Sequence, residues 1–484
     1  MKKMLAMAGW VAMAMMAWGG EKVAMIQVAD GGTLAKSVMK LGEITGNQAL
    51  GVMAATQVSK QPWNGFFGPM RQDSAMSVIC FADEKYEDME GLAIIYPVAV
   101  DKENFKARHE VEETQEGVMR LKGNPLGFDC DKLGEEVWVK FSEDGKWAVT
   151  SDTLERMYAS FEELERAAKS MDGDWMRVTV LPKGMETAIG QLRELVAKEE
   201  DEEEKRLGEK LLKAVESFEG FAVGSKVSDL GIEFSARATA NCELPDEGGF
   251  AAAELRQGEA VMSIVEISGV SGEEVVQAWE KFAQACAEKG APVKEILDMK
   301  AEGNDCVMTV KMNRIVELAS EDTEKLEGMD DALDDWSEDE WLKTWLNGIG
   351  VGRVGEVHKF ALELDNYHPK HSAANRLAKV IPEVNGRRIS EAGTVSMTAI
   401  VQSLAGVYKA AAGEGLDEET AQILAMLPEE TEGGLAYAKW REGREMRWIC
   451  RISADELRAL SNAVMMIWMS RMSGMDGLTF PGGI

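Results

Sequence analysis

The sequence is most easily bounded by what it lacks. It has no CxxC pair and no HExxH, so the familiar zinc-binding spacings are missing. It has no P-loop, no GxGxxG opening a helix after a strand, and no GxSxG elbow, which removes the recognisable nucleotide and serine-hydrolase signatures. Histidine is scarce: His109, His358, His368 and His371 are the whole supply for any Ser/His/Asp triad. Ser/Pro-rich low-complexity sequence is absent, which argues for compact domains without a stalk. Beyond the N-terminus the longest apolar run is Ala463 to Met469, far short of the roughly 20 residues a membrane helix needs.

What is present begins with an export signal. Lys2 and Lys3 precede an uncharged apolar stretch from Met4 to Trp18, and Ala17 and Gly19 are small residues at −3 and −1 of a cleavage site. Residues 1–19 therefore read as a cleavable signal peptide, and no cysteine follows for lipid attachment. The mature chain is expected in the periplasm or outside the cell, with no transmembrane segment.

At 484 residues the chain exceeds what one hydrophobic core usually serves. Two halves are expected, 20–244 and 245–484, with Cys242 to Gly249 as the linker because it carries Pro245 and Gly248-Gly249. Net charge is −31, which repels nucleic acid and anionic head groups and excludes nucleic-acid binding. The six cysteines, Cys80, Cys130, Cys242, Cys286, Cys306 and Cys450, allow up to three disulfides in an oxidising compartment, in pairings that spacing does not choose among.

Hydrophobic periodicity predicts an α+β fold built from repeated β-α-β-β units, with largely antiparallel sheets and helices packed on one face. Three units share one layout: a strand triplet, a helical stretch, then a hairpin about 40 residues on. They run from Val178-Thr179-Val180 to the hairpin Phe221–Thr239, from Met308-Thr309-Val310 to Ile349–Leu364, and from Val395-Ser396-Met397 to Leu435–Ile452. Alternation places Ile232, Phe234, Ala236 and Ala238 on one face of their strand, and Met446, Trp448, Cys450 and Ile452 on one face of theirs. Further strands are expected at Ala75–Ala82, Leu92–Val100 and Ala260–Ile267, with tight hairpins at Asp144-Gly145 and Asn385-Gly386. Capping-box spacings at Asp152/Glu155, Ser337/Glu340 and Ser453/Glu456 mark helix starts. The helix from Gly184 to Glu219 is interrupted by the acidic run Glu199–Glu204.

The candidate sites are few. Gln61 to Met70 is a Pro/Gly loop made apolar by Trp63, Phe66 and Phe67; exposed, it is a ligand or partner contact, and tucked inward it is core. Lys439 to Arg451 interleaves Arg441, Arg444, Arg447 and Arg451 with Trp440 and Trp448, a combination that grips an anionic or sugar-like ligand or simply pairs with neighbouring acids. His358, His368 and His371 beside carboxylates are the candidate metal ligands, although their spacing matches no established motif. Met466, Met469, Met472 and Met475 recur every third residue; that suits Cu(I), but it also suits the packing of an amphipathic final helix. The acid cluster from Asp330 to Glu340 lacks the order of an EF-hand, and Ser37-Val38-Met39-Lys40 is an SxxK match without its companion motifs.

Without a catalytic, cofactor or metal signature, the expected function is that of an exported, non-enzymatic protein that binds a ligand or scaffolds an envelope assembly. The alternatives are a secreted glycan hydrolase with paired carboxylates, and periplasmic metal handling.

Overall fold

Alternating apolar and polar residues form strands here, and the strands join into one ladder. The computed structural model describes residues 19–58, 67–71, 74–82, 89–114, 117–122, 136–169, 171, 173–199, 202–241, 249–255, 260–268, 271–288, 293–302, 305–321, 356–412 and 418–473. In spatial order the first ten strands are β4 (Val111–Glu113), β5 (Met119–Lys122), β6 (Glu136–Phe141), β7 (Trp147–Ser151), β3 (Met89–Pro97), β2 (Ala75–Ala82), β1 (Gly19–Ala29), β8 (Met176–Val180), β9 (Phe218–Ser228) and β10 (Gly231–Ala240). The ladder continues through β17 (Glu445–Ser453), β16 (Leu435–Glu442), β15 (Ile389–Val395), β11 (Met262–Ser268), β14 (Glu356–Leu364), β13 (Asp305–Val310) and β12 (Leu297–Glu302). Among the described residues only β13 and β14 pair in parallel. The chain is therefore mixed α+β with one large, mostly antiparallel sheet. The strands of the N-terminal half lie on one side of the β10–β17 pairing and those of the C-terminal half on the other, so this pairing joins the two.

Side-chain alternation along this ladder gives two faces, and both carry helices. On one face Met25, Ile79 and Ala93 stand in register and pack against Met157 of the helix Leu154–Phe161. The same face, at the C-terminal end, packs Val265, Ala392 and Ala438 against Leu377 and Val380 of the helix Ala373–Val380. The opposite face packs Met76, Ile94 and Tyr96 with Phe105 of the helix Lys102–Arg108 at one end. At the other end it packs Cys306 and Phe360 with Trp279 and Phe282 of the helix Gly272–Glu288. The one-sided helix layer expected from the sequence is corrected: hairpin-rich order fixes antiparallel pairing, but it does not fix which face a crossover helix takes.

Three times a strand leads through helix to a hairpin whose first strand returns beside it, antiparallel: β1 to β2–β3, β8 to β9–β10, and β15 to β16–β17. The segment around Met308-Thr309-Val310 departs from the expected layout. It is the second strand of the β12–β13 hairpin, and β14 is a strand between β11 and β13. Residues 322–355, including Ser337, Glu340 and the acid cluster, lie outside the described residues.

Local signals mostly place the helices well. Asp101 accepts from Asn104 N at 2.8 Å, and Ser271 with Glu274 forms a reciprocal capping box. After Ser151 the cap is Thr153, accepting from Arg156 N at 3.3 Å, and not Asp152, whose carboxylate binds the Arg156 guanidinium at 2.7 Å instead. The long helix breaks as expected, into Pro182–Lys198 and Glu202–Glu216. Asn385-Gly386 is a turn between a short 3-10 helix and β15, not a hairpin; Gly386 takes a φ of 76°, which favours glycine.

Candidate functional site

The centre of the sheet departs from the usual rule that the apolar face of a strand is the covered one. Across successive strands, Met176 (β8), Ser225 (β9), Phe234 (β10), Cys450 (β17) and Tyr437 (β16) stand opposite one another, so their side chains share a face. The adjacent row runs Val178, Val223, Ala236, Trp448 and Lys439. Between the helices Lys102–Arg108 and Gly272–Glu288, which cover the two ends of this face, the middle is covered at Ser225, Ala238 and Met446 and exposed at three apolar side chains. Phe234 is 51% exposed, Met176 48% and Val223 39%.

The other face of the same strands carries a buried charge cluster where the Ala373–Val380 helix sits. Glu233, next to Phe234, is 2% exposed, and Arg451, opposite Glu233, is 1% exposed. Arg451 donates to Glu233 at 3.1 Å, to the Val380 carbonyl at 2.6 Å and to Glu383 at 2.6 and 3.1 Å. Lys226 on β9 adds an ion pair to Glu233 at 3.0 Å. Burial alone would raise the Glu383 carboxyl, but its bond to Arg451 and the nearby charges outweigh that, holding it below its ordinary value. The network seats the Ala373–Val380 helix and the 3-10 turn after it on the sheet, and it spans the two halves of the chain.

A second buried polar brace lies beside it and was not legible in the sequence. Arg376, fully buried, donates to the Gly433 and His371 carbonyls and lies 3.6 Å from Glu430. Tyr367 donates to Glu430 at 3.0 Å; burial first, and that bond second, push the Tyr367 hydroxyl up to about 12. Glu456 accepts from Thr398 N at 2.7 Å as well as from the hydroxyls of Thr398 and Thr431. The capping spacing Ser453/Glu456 marked this residue as a helix start, which it is, but did not disclose its burial.

The sequence-selected residues divide accordingly. Phe67 is core, stacked on Tyr96 with ring centroids 4.6 Å apart; Trp63 and Phe66 lie outside the described residues. Trp440 is core in the cluster under the Ala373–Val380 helix, and Arg451 belongs to the buried network, so neither is available to an outside partner. Arg444 binds the Ala240 carbonyl and Glu219, Arg447 pairs with Glu442 and Glu445, and Arg441 donates to the Gly443 carbonyl. At the tip of this hairpin, then, arginines satisfy neighbouring acids and carbonyls. Trp448 alone of the aromatic pair reaches the open face, with Lys439 Nζ 5.7 Å from its ring centroid.

The remaining candidates stay apart. His358 sits on β14 across from Glu266, His368 is exposed in the following turn, and His371 is half-buried. Among the described residues no three His, Cys, Asp or Glu side chains are grouped to hold a metal ion. Met466 is exposed on the helix Ala454–Ser473, which also carries Met469 and Met472; Met475 lies outside the described residues. Ser37 Oγ donates to the Thr33 carbonyl while Lys40 pairs with Glu43 and Asp229, so the SxxK match is two structural side chains. His109 packs on the Phe105 ring. Four cysteines, Cys80, Cys286, Cys306 and Cys450, are free thiols; Cys130 and Cys242 lie outside the described residues, so the expectation of up to three disulfides is reduced accordingly. Among the described residues no helix is long and apolar enough to cross a membrane.

No protein family matches the sequence, and no curated protein matches it. Among solved structures, crystal form I of TP0453 is similar at a TM-score of 0.20 and 6% identity, over 48% of this chain and 80% of that one. A likeness that slight carries no argument about fold or function.

Proposed function

We propose that the chain is an exported, non-enzymatic binding protein whose working surface is the open apolar face of β8, β9, β10, β17 and β16. The observation that carries this reading is the inversion at the sheet centre: Phe234 stands 51% exposed while the adjoining Glu233 is 2% exposed. A sheet normally buries its apolar face against another layer, and an uncovered apolar patch on a folded protein marks a place where something else completes the layer. The ends of this face are already covered by the chain's own helices, and the exposed apolar side chains lie on three adjacent strands, Met176 on β8, Val223 on β9 and Phe234 on β10. The leader Met1–Gly19 supports export, and the strand–helix–hairpin layout at β1, β8 and β15 supports an origin by internal duplication.

The test is binding of a neutral apolar dye such as Nile red to the purified mature protein. Emission should rise on the folded protein and fall severalfold in Phe234→Asp, with unfolding midpoints unchanged. Equal dye binding by both proteins would remove the open face as the site. The export half is checked separately, by the N-terminal residue of protein recovered from the periplasm, expected at Gly20.

A further inference from the structure

We infer that the helix Gln48–Val58 docks on a neutral lipid bilayer, lying in the headgroup region with Met53 at its crest and Leu50 and Val52 on its shoulders. This helix is a different element from the exposed strands of the sheet, and its role does not depend on theirs.

The helix is built inside out for one that meets water. It packs on the preceding helix, Gly31–Ile44, through small residues: Gly51 and Ala55 are buried, and a Cβ on Gly42 would stand 2.7 Å from the Gly51 Cα. At about 100° of rotation per residue, Met53 points away from the midline of Gly51 and Ala55, with Leu50 and Val52 to either side. Met53 is 66% exposed, Leu50 58% and Val52 53%. A helix pair in water turns its large apolar side chains into the contact and its charges outward. A pair in lipid does the reverse: glycine and alanine line the contact so that the backbones approach closely, and the large apolar side chains face the acyl chains. The outward surface also lacks charge. Residues 48–58 hold no Asp, Glu, Lys or Arg, in a chain that is 28% charged, and the exposed polar groups are those of Gln48, Thr56 and Gln57. Three side chains fall far short of the ~800 Å² per partner that a stable protein interface buries, which disfavours a second copy. Entry into a bilayer needs no matching surface, because each apolar side chain that leaves water contributes on its own. At 11 residues the helix is about 16 Å long, so it lies along the bilayer surface and does not cross it.

The experiment is flotation of the mature full-length protein with vesicles of phosphatidylcholine alone, chosen because a net charge of −31 opposes anionic lipid. The protein should float with the vesicles, and equally so at high salt, since no ion pair holds it there. Met53→Asp should lower the bound fraction about tenfold or more, as the loss of one buried large side chain predicts, while Phe234→Asp floats as the parent does. Met53 is exposed, so its substitution should leave the unfolding midpoint in place. Failure of the unmodified protein to float overturns the inference, and that measurement needs no variant. Flotation unchanged in Met53→Asp overturns it as well, and if Phe234→Asp alone abolishes flotation the lipid contact is the sheet face. A dimer by sedimentation that Met53→Asp dissociates overturns it in favour of a second copy.

Discussion

Replacing Arg451 tests the buried network that turns the centre of the sheet over. Arg451→Met keeps an apolar stem of similar length and removes the guanidinium from between Glu233, Glu383 and the Val380 carbonyl. Glu233, 2% exposed, is left with Lys226 alone, whereas Glu383 reaches solvent with 35% of its side chain exposed. Breaking a buried ion pair from one side costs about 3–5 kcal/mol, because the surviving charge stays desolvated. The companion Arg451→Met/Glu233→Met removes that stranded charge, and its loss should be smaller than that of the single variant, as double-mutant analysis of a coupled pair predicts. Urea unfolding followed by tryptophan emission and circular dichroism gives both values. The pH dependence has a definite sign. The Glu383 carboxyl lies below its ordinary 4.5 in the folded protein, so its contribution is complete above that value and is lost as pH falls through the lower folded one. Arg451→Met should therefore flatten the acid limb of the stability profile. A single variant within about 0.5 kcal/mol of the parent, or a double variant less stable than the single, would refute the buried network and with it the inverted face.

Three smaller tests address other parts of the fold. Gly184→Ala places a Cβ 2.2 Å from the Val23 carbonyl oxygen and should cost about 1–3 kcal/mol, whereas Gly190→Ala, on the same helix with nothing within 4 Å, should gain up to about 1 kcal/mol in thermal unfolding. Ser271→Ala removes the reciprocal cap with Glu274 and should cost about 1 kcal/mol. Of the four described thiols, Cys450 should alkylate first in peptide mapping at mildly alkaline pH. Burial pushes the Cys80 and Cys306 thiols up to about 11 and encloses both, as it encloses Cys286, while Cys450 on the open face is half-buried and raised to a lesser degree.

Local order was well written in the sequence. The strand Ala75–Ala82 ends where its apolar run ends, the paired faces Ile232/Phe234/Ala236 and Trp448/Cys450 were set by period-two alternation, and the break after Lys198 follows the acidic run. Long-range pairing was not. Nothing in Met308-Thr309-Val310 distinguishes the first strand of a unit from the second strand of a hairpin, because the partner, Leu297–Glu302, is a short strand with Asp298 and Lys300 in it. Cap identity was also lost where two acceptors compete, as at Asp152 and Thr153, since the arginine that claims Asp152 is itself part of the helix.

Which face of the central strands is inside is a harder question, and it decides where function is placed. Alternation says only that Phe234 and Glu233 point opposite ways; inference of burial then follows the average preference of side chains. Here the average is reversed because Glu233 meets Arg451, which in turn meets Glu383 and a helix-end carbonyl, and these partners come from segments about 70 to 220 residues apart. Once the charges on one face neutralise each other, that face can accept the Ala373–Val380 helix. The apolar face, with its own end helices already placed, is left exposed at Phe234, Met176 and Val223. The arginine-rich hairpin drew attention in the sequence for gripping something anionic. In the folded chain its most buried arginine grips the protein's own acids, Arg444 and Arg447 pair with acids near the hairpin tip, and Lys439 lies beside the Trp448 ring on the other face.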